Sequence, residues 1–264
     1  MKQHIVAGNW KMHTNKSEAS DLVMGIHDGV GSRTLPMSLD IVVCPPFVWI
    51  EHIISSLNGG IASQRASSSP IACGAQDCHH ELKGAYTGDI SASMIADLGC
   101  RYVIVGHSER RQYHGETNER IAQKVVAARE AGLRPIVCVG ETAEERAEGR
   151  TADVVGQQID AILAGAGSAA MNESVVAYEP LWAIGTGVAA SPEQAQEVHA
   201  MIRARLNQHG APATALLYGG SVNASNAASF FACPDVDGAL VGGASLAADT
   251  FLSIIDAASA AWSE

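Results

Sequence analysis

Eight short apolar or β-branched runs recur along the whole chain, at residues 4–9, 40–44, 71–75, 102–106, 135–139, 174–178, 215–218 and 238–241. Each is bounded by glycine, proline or polar residues, as parallel strands covered on both faces are. The segments between them carry helical periodicity. Ala19, Leu22, Val23, Ile26 and Val30 share one face, and Asn15 with Glu18 is placed to cap the start of that helix. A second face holds Ile121, Val125 and Ala128 and stops at Gly132, where a left-handed cap is cheap. A third helix opens with Ser191-Pro192-Glu193-Gln194: serine as N-cap, proline in the first position, glutamine able to reach back. This alternation predicts a parallel sheet with helical crossovers, and eight is the number of strands that closes it into a (β/α)8 barrel without exposed edges. An open doubly wound sheet is the competing architecture. It usually announces itself with G-x-G-x-x-G after the first strand, where this chain has Gly8-Asn9-Trp10-Lys11. No composition break or long linker divides the 264 residues, so a single domain over 1–264 is expected, with residues 58–70 as a surface loop.

The charge balance excludes several roles. With 17 Lys+Arg against 28 Asp+Glu the chain carries a formal charge of −11, the wrong sign for non-specific nucleic-acid binding or an anionic membrane surface. An apolar fraction of 47% against 17% charged residues describes a folding chain, not a disordered one. No apolar run is long enough to span a bilayer, and the N-terminus passes directly into the first strand, leaving no room for a signal peptide. Six cysteines (Cys44, Cys73, Cys78, Cys100, Cys138 and Cys233) form no C-x-x-C pair, which suggests reduced thiols in a cytoplasmic compartment. Cys73, Cys78, His79 and His80 are metal-ligand types, but without a second ligand pair they read as part of an ordinary loop. Any anionic ligand must be captured by local groups working against the global field.

Functional groups of a parallel barrel gather where the strands end at their C-termini. The first strand delivers Asn9 and Lys11, the fourth Gly106-His107-Ser108-Glu109-Arg110-Arg111, and the sixth the stretch from Glu179 to Gly187. Gly219-Gly220-Ser221 follows the seventh and Gly242-Gly243 the eighth. Two glycine turns on adjacent final strands suit a phosphate, which backbone N–H groups approach closely only where no Cβ obstructs them; plain tight turns are the alternative. Glu179, at the end of an apolar strand, is placed as a partly desolvated base or as one half of an ion pair with an arginine. His107 is either a catalytic imidazole or a packing residue, and Lys11 either points into the mouth or is solvated.

Five motifs, in strand order, resemble the triosephosphate isomerase family: Gly8-Asn9-Trp10-Lys11-Met12, the run from Val105 to Arg111, the run from Ala177 to Gly187, Tyr218-Gly219-Gly220-Ser221-Val222-Asn223, and the run from Val236 to Leu246. The likeness extends from Ala7 to about Ile255. It implies a TIM barrel that interconverts dihydroxyacetone phosphate and D-glyceraldehyde 3-phosphate through an enediolate, in glycolysis and gluconeogenesis, with no cofactor and no metal. By the same resemblance Glu179 is the base and His107 the neutral electrophile, roles that are a standard illustration of environment-set acid–base chemistry. Lys11 supplies positive charge, Asn9 a hydrogen bond to the substrate oxygen, and Glu109 holds the lysine. Backbone N–H groups of Gly185, Ser221, Gly242 and Gly243 receive the phosphate. Pro180, Trp182, Ile184 and Thr186 belong to a mobile lid, and Ile184 with Leu240 closes over the base. The resemblance also implies a homodimer, in which the long third loop inserts into the partner, Thr87 approaches it and Asp89 pairs with Arg110 across the interface. Asp77 stands where the family pattern has asparagine, Asp89 where glutamate is more usual, and Ala247 where many relatives carry lysine.

Two rivals are weighed against this reading. A Schiff-base aldolase needs a lysine within a barrel strand, and a metal-dependent epimerase needs histidine and acidic ligands on several strands; the strands offer neither beyond the terminal positions already assigned. A non-catalytic barrel would be favoured by loss of Glu179, His107 or Lys11, and all three are present.

Overall fold

In a computed structural model, which describes residues 3–58, 69–184 and 190–263, the eight runs form eight strands. They are β1 (His4–Asn9), β2 (Leu39–Cys44), β3 (Ile71–Ala75), β4 (Tyr102–Val105), β5 (Arg134–Val139), β6 (Val175–Tyr178), β7 (Ala215–Tyr218) and β8 (Gly238–Val241). All pair in parallel and in sequence order around a closed ring. The ring closes between the first and last strands, with Ile5 opposite Gly238 and Gly8 opposite Val241. Outside it lie α1 (Lys16–Gly31), α2 (Ile50–Leu57), α3 (Ala92–Asp97), α4 (Ser108–His114), α5 (Asn118–Glu130), α6 (Ala143–Ala147), α7 (Thr151–Asn172), α8 (Pro192–Gln208), α9 (Ala227–Phe231) and α10 (Ala248–Trp262). The open-sheet alternative is thereby excluded, and the fold is a TIM barrel.

Side chains alternate across each strand and divide the core in two. Ile5, Ala7, Val42, Cys44, Tyr102, Ile104, Ile136, Cys138, Val175, Ala177, Ala215, Leu217 and Leu240 pack in one cluster inside the ring. Their neighbours along the strands, such as Val6, Val43, Val103, Val137, Val176 and Leu216, pack outward against the helices. The expected helical face of α1 is buried at Ala19, Leu22, Val23, Ile26 and Val30, and Asn15 with Glu18 forms a reciprocal capping box. Ser191 and Gln194 form another at the start of α8, with proline in the first turn.

Strand edges differ from the expected ones by single residues. The fourth strand ends at Val105 because Gly106 turns left-handed (φ +68°) with Ile121 packed against it; a Cβ there would lie 2.7 Å from the Ile121 side chain. The loop expected over residues 58–70 falls almost wholly outside the described residues. All six cysteines are free thiols, and among the described residues no helix is long and apolar enough to cross a membrane.

Candidate active site

The alternation that fills the barrel also builds its mouth. Inward positions run Ile5, Ala7 and then Asn9 on the first strand, and Val175, Ala177 and then Glu179 on the sixth. Asn9, Lys11, His107, Glu179, Ile184, Ser221, Leu240, Gly242 and Gly243 all line one cavity of about 300 Å³. Gly219, Gly220, Val222 and Ala244 complete its wall.

Glu179 and His107 face one another. The carboxylate is 2% exposed; its Oε1 lies 3.0 Å from His107 Nε2, and its Oε2 accepts from the Ser108 backbone N–H at 2.9 Å. Its partners are thus an imidazole and a backbone amide, not the arginine of the alternative reading. His107 is the N-cap of α4, where its Nδ1 accepts from the Glu109 backbone N–H at 3.2 Å. A nitrogen that accepts carries no proton, so the neutral ring bears its hydrogen on Nε2, aimed into the cavity. Ser108, absent from the expected site residues, supplies the amide that holds this carboxylate. A strand-to-helix turn beside a carboxylate is the signal that could have found it.

Lys11 Nζ forms an ion pair with Glu109 Oε1 at 2.5 Å. The lysine adopts φ +51°, an unusual conformation for a residue with a Cβ. Asn9 holds that turn by accepting the Lys11 N–H on Oδ1 at 3.0 Å, which leaves its own amide N–H groups available to a ligand. Gln76 Nε2 donates to the carbonyls of Lys11 and Cys44, at 2.8 and 2.9 Å, and so ties three loops together.

The segment expected to form a lid begins in a well-anchored turn. After Pro180, a short 3-10 turn spans Leu181–Ala183. Trp182 Nε1 donates to Glu141 Oε1 at 3.0 Å, and the Arg146 guanidinium lies 4.3 Å over its ring. Tyr178 donates to the same carboxylate oxygen at 3.0 Å; burial, then the charge of Glu141, pushes that phenol far above its ordinary value. Glu141 is fully buried and was not among the expected site residues. Ser221 Oγ donates to the Ala183 carbonyl at 2.6 Å, joining the lid turn to the loop after β7. Gly185 and Thr186 lie outside the described residues.

The two glycine pairs differ. A Cβ on Gly219 would stand 2.9 Å from Glu179 Cγ, and one on Gly220 would strike the Tyr218 ring. A Cβ on Gly243 would meet nothing within 4 Å, and one on Gly242 would find Lys11 Cε nearest, at 3.6 Å. The first pair makes room for neighbours already present, the second borders open space.

In the third loop Thr87 is exposed. Within the chain Asp89 approaches His79, at 3.7 Å, while Arg110 Nε is taken by Glu116 at 2.7 Å and Asp77 at 2.9 Å. Asp77 also binds the buried Lys124 Nζ at 2.7 Å, which accounts for an acid at this position. Burial raises that carboxyl above its ordinary value, with the Lys124 charge pulling the other way. Cys78 is buried, and burial pushes its thiol up to about 12, so it is not a reactive surface thiol.

A closed parallel barrel whose mouth sets a buried carboxylate against an imidazole, beside a lysine and open glycine turns, defines a barrel enzyme for proton transfer on a small anionic substrate. The sequence model of the family described as triosephosphate isomerase matches residues 4–258. The chain is 49% identical over 262 residues to the triosephosphate isomerase of Halorhodospira halophila, covering 98% of this chain and 99% of that protein. It is 48% identical over 261 residues to that of Thiobacillus denitrificans, with the same coverage, and 49% over 261 residues to that of Herminiimonas arsenicoxydans, covering 98% and 100%. The chain belongs to the triosephosphate isomerase family.

Proposed function

We propose that the family's reaction, the interconversion of dihydroxyacetone phosphate and D-glyceraldehyde 3-phosphate, runs in this cavity with Glu179 as the base that carries a proton between adjacent carbons. The observation that carries this reading is that Glu179, His107 and Lys11, far apart in the chain, line one small cavity. Glu179 removes the carbon-bound proton. The Nε2–H of His107 and the amide of Asn9 hydrogen-bond the developing oxyanion, and Lys11, held by Glu109, offsets its charge. These interactions strengthen as the enediolate forms, and so act on rate more than on binding.

The phosphate belongs against the backbone N–H groups of Ser221, Gly242 and Gly243, joined by that of Gly185. Such a cradle needs no arginine or lysine clamp, which is how a chain of charge −11 can hold a dianion. Ile184 and Leu240, both in the cavity wall, are the apolar pair that excludes water over the base, and the segment from Pro180 and Trp182 to Thr186 is the lid. Deleting the lid tip is expected to raise methylglyoxal formation per turnover; an unchanged ratio would remove its guarding role.

The reading extends to a cytoplasmic homodimer joined through the third loop, with Thr87, Asp89 and Arg110 at the contact. Sedimentation showing only monomer at micromolar concentration would reject that assembly. The central test is a coupled isomerase assay on the purified protein and its Glu179→Asp variant. Withdrawing the carboxylate by one methylene leaves substrate binding largely intact and slows turnover. A kcat within about twofold of the parent would end the assignment.

A further inference from the structure

Arg111, on α4, divides its guanidinium among two backbone carbonyls and a side-chain amide. Its Nε donates to the Gly106 carbonyl at 2.9 Å, one NH group to Asn118 Oδ1 at 2.7 Å, and the other to the Cys138 carbonyl at 3.1 Å. Arg33, Arg110, Arg203 and Arg205 each take a carboxylate. Among the described residues, the direct partners of Arg111 are all neutral. Its charge is thus not offset by any group it touches. Burial pushes its proton affinity down, and the Cys138 thiol and the carboxylates of Glu179 and Glu116 push it back up.

Two of its bonds join the end of β4 to β5, the strand beside β6. Gly106 is the left-handed residue immediately before His107, and Cys138 lies on β5, where burial, then the charge of Glu179, pushes its thiol far above the ordinary value. The other charged or titratable groups around Glu179 leave it without a free counter-charge. Burial keeps the Cys138 thiol protonated, His107 meets the carboxylate through Nε2 at 3.0 Å, Lys11 is engaged by Glu109, and Glu116 is bound by Lys124 and Arg110. A carboxylate that is 2% exposed is costly to keep ionised without a nearby positive charge.

We propose that Arg111 is a positioning residue for the isomerisation: it braces the His107 turn against β5 and supplies the positive charge that keeps Glu179 ionised before substrate arrives. The inference rests on Glu179 being the base. A brace alone would set the geometry of His107 and cost turnover equally at every pH. A brace that also carries charge acts on the acid side of the pH profile as well.

The test is the pH dependence of kcat/KM for the full chain and three variants. Arg111→Met should lower kcat on the order of 10²-fold and move the acid limb upward by about one pH unit. Arg111→Lys keeps the charge without the fork, so it should keep the parent limb while losing part of kcat. Asn118→Asp places a carboxylate on the guanidinium without touching Arg111. An acid in the first turn suits α5, so this variant folds even if Arg111→Met does not. Its limb should move in the same direction as that of Arg111→Met. A limb in Asn118→Asp that coincides with the parent's, or one that moves equally in Arg111→Lys and Arg111→Met, overturns the proposal. Failure of the underlying reading looks different: Glu179→Asp would then turn over like the parent.

Discussion

The two sides of the mouth are built from different materials. On the side of β1, β4 and β6 the working groups are side chains, and each is held by another group: Glu179 by the Ser108 N–H, His107 by the Glu109 N–H, Lys11 by the Glu109 carboxylate. On the side of β8 the groups are bare backbone, with open space around Gly243 and only Lys11 near Gly242. Moving a proton demands a group whose orientation and protonation state are both fixed, and fixing them takes burial and hydrogen bonds. Holding a charged group that does not react demands only N–H dipoles and room. The side-chain half is therefore sensitive to chemistry, and the backbone half to volume.

Substitutions can break or sharpen that contrast. The largest effect should come from Glu179→Gln, with a loss of kcat on the order of 10⁴-fold and little change in the affinity for a phosphate-bearing inhibitor. If inhibitor binding fell in proportion, the base side and the phosphate side would not be separate. His107→Ala comes next, with kcat reduced about 10²–10³-fold, measured with saturating substrate. Gly219→Ala tests the border between the halves. Its Cβ would press on Glu179 Cγ at 2.9 Å, so a glycine of the backbone side should cost kcat about tenfold while KM stays near the parent value. Gly243→Ala should give the smallest effect, a rise of a few-fold in KM with kcat preserved, because the added methyl meets only the open space proposed for the phosphate. A loss of kcat in Gly243→Ala as large as that in Gly219→Ala would erase the distinction.

Much of this was legible in the sequence, for physical reasons. Strands at 4–9, 71–75, 215–218 and 238–241 keep their expected bounds because glycine, proline or polar residues mark both ends. The site was legible because whatever follows a buried strand in this topology must emerge at the mouth. The comparison of Glu141 with Glu179 marks the limit. Each is a carboxylate two residues beyond a strand or directly after one, yet Glu179 continues the inward row of Val175 and Ala177. Glu141 falls one position beyond the inward row of Ile136, Cys138 and Gly140, so it turns outward to Tyr178 and Trp182. A one-residue difference in register separates a carboxylate that lines the cavity from a buried anchor, and an apolar run covered on both faces has no alternation from which to read register. Asp77 with Lys124, and Arg111 with Cys138, were illegible for another reason: 47 and 27 residues separate them, and only the closed ring brings them together.

The seam between β1 and β8 has a consequence for how the protein comes into being. A ribosome makes Asn9 and Lys11 long before Gly242 and Gly243, yet the four border the same cavity. During synthesis, the emerging chain can form local strand–helix pairs, but it has no enclosed cavity until its last strand docks beside the first. Working order is thus reached in a single late event, and nascent chains stalled before that strand should be inert however much of the ring they have built.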